Sequence, residues 1–185
     1  MPEPVSLPPP RLEYVREPAV SEELDRELRE LISSAFFEPH NAFFQERRYA
    51  QEMPRHRFLV RSAEGRLVAH LAVHEKVISV AGADVAIGGM AEVCVHESAR
   101  GRGYVRLLLE QAHRELLESD IGFAFLFGDA NIYGSSGYRH VLSPIRRLNH
   151  LTHDYETSVR QDALVKPLAA AEWPEGPIDL RGPFF

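Results

Sequence analysis

Apolar residues recur at helical spacing in two stretches of the chain and run in strand-like blocks between and after them. Leu24, Leu28, Leu31, Ile32 and Phe36 share one helical face. Ser21 followed by Glu22 and Glu23 supplies an N-cap hydroxyl and an acidic first turn. This helix is expected to end near Phe37, before Pro39. Residues 38–55 show no period and carry Phe43, Phe44 and Tyr49 among charges, which fits a short helix or a substrate-facing loop.

Arg57 to Arg61 and Leu67 to Val73 read as a hairpin, turning through Ala63-Glu64-Gly65-Arg66. A third apolar run, Val77 to Val80, turns at residues 81–84 into a strand from Val85 to Val95. Gly88 and Gly89 inside that strand signal a bulge or a close backbone approach. Val105, Leu108, Leu109, Ala112, Leu116 and Leu117 mark a second amphipathic helix, from Tyr104 to about Glu118. Ile121 to Phe127 reads as a buried strand, and Tyr138 to Leu148 and Thr157 to Leu168 as two final strands. No repeat or interdomain linker appears. The expected organisation is a proline-rich tail over residues 1–10 and a single domain over 11–185.

Composition narrows the function class. At 185 residues the chain has the length of one domain. Its net charge of −6 disfavours nucleic acid, whose phosphates require a basic surface, and suits a cationic or amine-bearing partner. The apolar runs are too short to span a bilayer, and the N-terminus lacks the basic start and apolar core of a signal peptide. The single cysteine, Cys94, fits a reducing cytoplasm and reads as a small buried hydrophobe.

The candidate chemistry lies where the long strand meets the second helix. Val93-Cys94-Val95 enters a turn holding Gly101 and Gly103, and the helix starts at once. A helix start leaves N–H donors unpaired and adds partial positive charge, and glycines let backbone approach a phosphate. Arg100, Arg102 and Arg106 add formal charge to the same turn. The pattern points to a site for a diphosphate. His150-x-x-His153 and His70-x-x-x-His74 match metal spacings only loosely, and no metal is expected.

The segment Arg100-Gly101-Arg102-Gly103-Tyr104-Val105 resembles the acyl-CoA motif of the GNAT superfamily of N-acyltransferases, with Val105 in place of the usual final small residue. Gly128-Asp129-Ala130-Asn131-Ile132-Tyr133, continuing to Gly137-Tyr138, is similar to a second CoA-binding segment of one branch of that superfamily. The resemblance implies an α/β (α+β) fold: a central mixed, mostly antiparallel sheet flanked by helices, with a splayed strand pair that binds acyl-CoA. It implies acetyl-CoA as co-substrate, bound by the turn residues 100–106, by Asn131 and by the backbone of Val93, Cys94 and Val95. Tyr133 would be the proton donor to the leaving thiolate.

The base is less determined. Glu92 is the first candidate, because a buried carboxylate beside a cleft can accept an ammonium proton. His96, Glu97 and the terminal carboxylate of Phe185 are the alternatives. In length and order of elements the chain also resembles aminoglycoside 2′-N-acetyltransferases, in local wording rhizobial nodulation N-acyltransferases (Val68-Ala69-His70 and Ala171-Glu172-Trp173-Pro174), and in its tyrosine segment the small predicted and mycobacterial survival-type acetyltransferases. The expected activity is acetyl transfer from acetyl-CoA to a primary amine of a small molecule by direct attack. A longer acyl donor or a silent CoA-binding module are the alternatives, and a homodimer through late strands is a further expectation.

Overall fold

A computed structural model describes residues 9–185. Most of the proline-rich stretch, residues 1–8, lies outside the described residues. Ten strands form one sheet: β1 (Arg11–Arg16), β2 (His56–Arg61), β3 (Leu67–Val80), β4 (Ala83–Val95), β5 (Phe123–Phe127), β6 (Arg139–His140), β7 (Pro144–Leu148), β8 (Tyr155–Val159), β9 (Ala163–Pro167) and β10 (Ile178–Asp179). Three helices accompany them: α1 (Glu22–Ala35), α2 (Tyr104–Glu118) and the short α3 (Ala130–Tyr133). The mixed sheet flanked by helices is the expected class.

β3 and β4 are the spine. The run expected to break near Val73 continues as one strand to Val80, because β4 pairs with it from Val95 to Ala83. On its other edge β3 changes partner. Its first half pairs with β2, which carries β1, and its end pairs with β10, inserted between β3 and β7. The strands expected over 138–148 and 157–168 are each divided. Residues 139–140 and 163–167 pair at one edge of the sheet, whereas 144–148 and 155–159 form a hairpin at the other.

Helix α1 begins as its sequence dictates, with Ser21 Oγ accepting from the Leu24 amide at 3.2 Å. It buries Leu24, Leu28, Leu31 and Ile32 against Leu59, Leu67 and Cys94. Helix α2 buries Leu108, Leu109, Ala112 and Leu116 on Phe58, Val60, Met90 and Leu126. Each fully buried leucine of this kind is worth about 1.5–3 kcal/mol of transfer free energy. The close approach signalled by Gly88 and Gly89 is real and two-sided. A Cβ at Gly88 would stand 2.2 Å from Leu116 of α2, and one at Gly89 2.7 Å from the Phe185 ring. The bulge lies further along, at Glu92.

Strand β4 pairs with β5 in parallel only over residues 87–90. From Ala91 to Val95 it has no ladder on that side, and the chain leaving β5 turns away at Gly128 into α3. The two strands therefore splay, and the candidate site fills the gap.

Candidate functional site

The turn after β4 has the conformation its glycines allow. Gly101 and Gly103 adopt φ of 74° and 77°, left-handed values that L-residues rarely take. Gly103 is the N-cap of α2 and provides no side-chain cap. The backbone amides of residues 101–106 donate to no acceptor among the described residues; the next amide, that of Leu107, bonds Gly103 O. A run of free amides at a helix start suits an oxyanion group. The turn borders a cavity of about 410 Å³ that also includes Val93, Cys94, Val95, Arg100 and Tyr133. Arg100 and Arg102 are exposed at its edge, whereas Arg106 points away into an ion pair with Glu110 at 2.8 Å.

At Glu92 the β3–β4 ladder slips. Ala72 pairs with Ala91 and His70 with Cys94, so the two residues Glu92 and Val93 stand opposite Leu71 alone. Glu92 takes φ of 47°, a strained value for a residue with a Cβ. The extra residue reverses the alternation: Met90 on one side of the bulge and Val93 and Val95 on the other pack on the same core. The Glu92 carbonyl, lost to the ladder, is met by His70 Nδ1 at 2.9 Å. His70 Nε2 lies 3.0 Å from Arg57 Nη1. Arginine only donates and a carbonyl only accepts, so His70 carries its proton on Nδ1 and is neutral. Burial and the Arg57 charge hold its pKa well below the usual histidine value.

The Glu92 side chain is almost fully buried. Oε1 accepts from the Ala50 amide at 2.9 Å, while Oε2 has no hydrogen-bond partner. Burial pushes its pKa up to about 7, with Arg57 opposing the rise. Arg57, wholly buried, is held by Glu17 through its Nε and donates to Arg48 O at 3.2 Å. Arg48 closes the network on Glu17 at 2.9 Å and on Asp25 at 2.6 Å.

Glu92 lines a second cavity of about 400 Å³, together with Phe43, Met90, Phe127 and Phe185. Tyr133 lines both cavities, as do Phe36, Val93 and Ile132. Its ring seats against Gly128, where a Cβ would approach within 2.6 Å. Its hydroxyl makes no hydrogen bond to a described residue, and burial raises its pKa to about 12, so the phenol keeps its proton at neutral pH.

The structure thus brings together Glu92, Val93, Cys94, Val95, Tyr133 and the turn 100–105. Asn131 is not with them. Exposed on α3, it gives both its amide and Nδ2 to Asp129 Oδ1, the cap of that helix. His96 turns into a separate depression bordered by Glu30, Ser34 and Arg66, with Nδ1 engaged by Ser98. Glu97 is exposed in the following turn. Cys94 is buried, with its thiol pKa raised by burial, which leaves no thiolate for nucleophilic chemistry. Trp173 docks the tail on Phe123 and Phe125. Phe185, whose terminal carboxylate is one of the alternative bases, lines the second cavity, with its ring against Gly89 and Phe127. No group of three histidine, cysteine or acidic residues is placed to hold a metal among the described residues.

The Arg57–His70 support was missed in the sequence. Its one signal was Arg57 standing immediately before the apolar run Phe58-Leu59-Val60 in an expected strand.

Comparison with known proteins agrees with this geometry. The fold is similar to that of the GNAT family N-acetyltransferase YhbS from Escherichia coli, solved in complex with CoA: TM-score 0.65 at 18% identity, covering 94% of this chain and 91% of that one. It is also similar to a GNAT family acetyltransferase from Brucella melitensis in complex with acetyl-CoA, with TM-score 0.60, 14% identity and 91% and 94% coverage. Eis1 from Mycobacterium abscessus matches over 73% of this chain and 32% of its own, with TM-score 0.56 at 16% identity. No curated protein matches the sequence. The family model described as acetyltransferase (GNAT) domain matches residues 18–141, from the start of α1 through the splayed strands and the tyrosine segment. With two-thirds of its length inside that match, the chain belongs to the GNAT acetyltransferases.

Proposed function

We propose that this protein transfers an acetyl group from acetyl-CoA to the primary amine of a small molecule by direct attack, with Glu92 as base and Tyr133 as acid. One observation carries the reading: Tyr133 and Val93 form the common wall of two cavities, one bordered by free amides and the other by a buried carboxylate. The first suits a diphosphate-bearing donor and the second an ammonium-bearing acceptor.

The amides and glycines at 101–105 would hold the diphosphate, and the unpaired edge at Val93–Val95 would pair with an extended amide-bearing arm as an added strand. Bound there, acetyl-CoA supplies a thioester whose C–S bond breaks as the C–N bond forms. Glu92 takes a proton from the incoming ammonium, directly or through one water, which frees the nitrogen lone pair. Tyr133 gives its proton to the departing sulfur, and the proton released from nitrogen restores the balance. A carboxylate with a pKa near 7 is suited to this, because it is ionised in part at neutral pH and basic enough to accept.

The test is release of free thiol from acetyl-CoA over a panel of amines, with calorimetry of CoA binding beside it. Amine-dependent thiol release that falls in Glu92→Gln and Tyr133→Phe supports the reading. Absence of CoA binding, or of thiol release with every amine, overturns it.

A further inference from the structure

The second cavity also restricts what the acceptor can be. One part of its wall comes from the end of α1 and the turn after it, where Phe43 and Phe44 lie 4.5 Å apart and Phe36 and Phe44 5.6 Å apart, centroid to centroid. Another comes from β5 and the tail, where Phe127 and Phe185 lie 5.5 Å apart. Between the strands and these rings stands Glu92, whose unpartnered Oε2 is the one buried polar atom lining the cavity that lacks a hydrogen bond. Two further anionic groups belong to residues of the lining: Asp129, which is exposed and caps α3, and the terminal carboxylate of the half-buried Phe185. The volume, about 400 Å³, is at the small end of small-molecule sites, which run from about 300 to 1,000 Å³.

The geometry points to an acceptor with one amine and an aromatic or otherwise apolar body of one or two rings: an arylalkylamine rather than a polyamine or an aminoglycoside. A single buried carboxylate oxygen can match one ammonium. A second cation would sit among phenyl rings, with only the exposed Asp129 and the half-buried, partly solvated chain terminus at Phe185 as partners, and these would return little for its desolvation. An apolar body, by contrast, gains from every ring face it covers. This rests on the acetyl transfer proposed above.

The experiment compares kcat/KM for 2-phenylethylamine, ethylamine, spermidine and kanamycin with saturating acetyl-CoA and the full chain. Phenylethylamine should exceed each of the other three by about 100-fold, the effect of burying one aromatic group. In Phe43→Leu its KM should rise several-fold more than that of ethylamine, with the affinity for acetyl-CoA unchanged, because Phe43 does not border the first cavity. Thiol release favoured by spermidine or kanamycin, or equal for ethylamine and phenylethylamine, overturns the acceptor class and leaves acetyl transfer standing. Lack of thiol release with all four, or absence of acetyl-CoA binding, overturns both.

Discussion

Glu92 Oε2 stops 4.0 Å from Arg57 Nη1, while Arg57 spends its shortest contacts on Glu17 and His70. The carboxylate is close enough to feel the guanidinium and not bonded to it. Its proton therefore stays exchangeable near neutral pH, which a closed ion pair would prevent.

A pH profile follows from this. Glu92 acts as base only when ionised, so kcat/KM should climb through about pH 7. Glu92→Gln should lose that limb and about 10²–10⁴ of the rate. A limb that survives in the variant would assign it to another group.

The same residue weakens the fold. Its ordinary value of 4.5 is raised to about 7 in the folded state. The unfolded chain gives up this proton first as pH rises, so stability is lost between pH 4.5 and 7, by on the order of 3 kcal/mol. Glu92→Gln should melt above the parent at pH 8, with the gap closing towards pH 4.5. Thermal melts at the two pH values decide it, and equal gaps would contradict the buried, raised carboxylate.

Tyr133→Phe keeps the ring that Gly128 accommodates and removes only the hydroxyl. Turnover should fall by about 10²–10⁴ with CoA affinity within about twofold. Unchanged turnover would remove the acid role.

Gly103→Ala tests the turn. Its Cβ would meet nothing within 4 Å, so the penalty comes from holding φ near 77°. About 1 kcal/mol and a melting shift of about 2–4 °C are expected. The CoA dissociation constant should rise at least about tenfold, because the amides no longer converge. A loss of stability with unaltered CoA binding would separate this turn from the cofactor.

Buried histidines set the acid limit. His74 and His113 fall from 6.5 to about 4 through burial, and burial together with the Arg57 charge lowers His70 in the same direction. The unfolded chain protonates first as pH falls, so stability present above pH 6.5 is lost progressively down to pH 4. His74 and His113 each contribute on the order of 3 kcal/mol, against the opposite trend from Glu92. His74→Leu removes a ring whose Nε2 has no partner and should flatten the urea-unfolding free energy over this window. An unaltered slope would exclude His74 from it.

The sequence carried local chemistry well and pairing poorly. Ser21, the leucine spacing of α1 and α2, and the glycine turn each act through neighbours a few residues away, so their elements were readable. β10 was not, because two residues form it only by filling the edge that β2 leaves on β3. Nor was the division of 138–148 and 157–168, where chain segments join opposite edges of the sheet. At the site, Glu92 and residues 100–105 were legible because strand, turn and helix are contiguous, and Tyr133 through the Gly128–Tyr133 segment that resembles a second CoA-binding motif. Arg57 was not, since it reaches Glu92 from about 35 positions away and only folding brings it there; Phe43 was legible only as part of a short helix or substrate-facing loop, and Phe185 only through its terminal carboxylate. Asn131 was misplaced for a local reason: its motif fixes the helix, but the Asp129 cap draws its amide outward.

The phenyl walls are supplied by residues 36–44, Phe127 and the last residues of the chain, whereas the amide-lined turn is built from residues 100–105. Only Phe36, Val93, Ile132 and Tyr133 belong to both. On the proposed reading, acceptor choice can drift by exchange of a surface turn and a tail while the residues proposed to grip the coenzyme and move the protons stay in place, so that one scaffold can be retargeted without relearning its reaction.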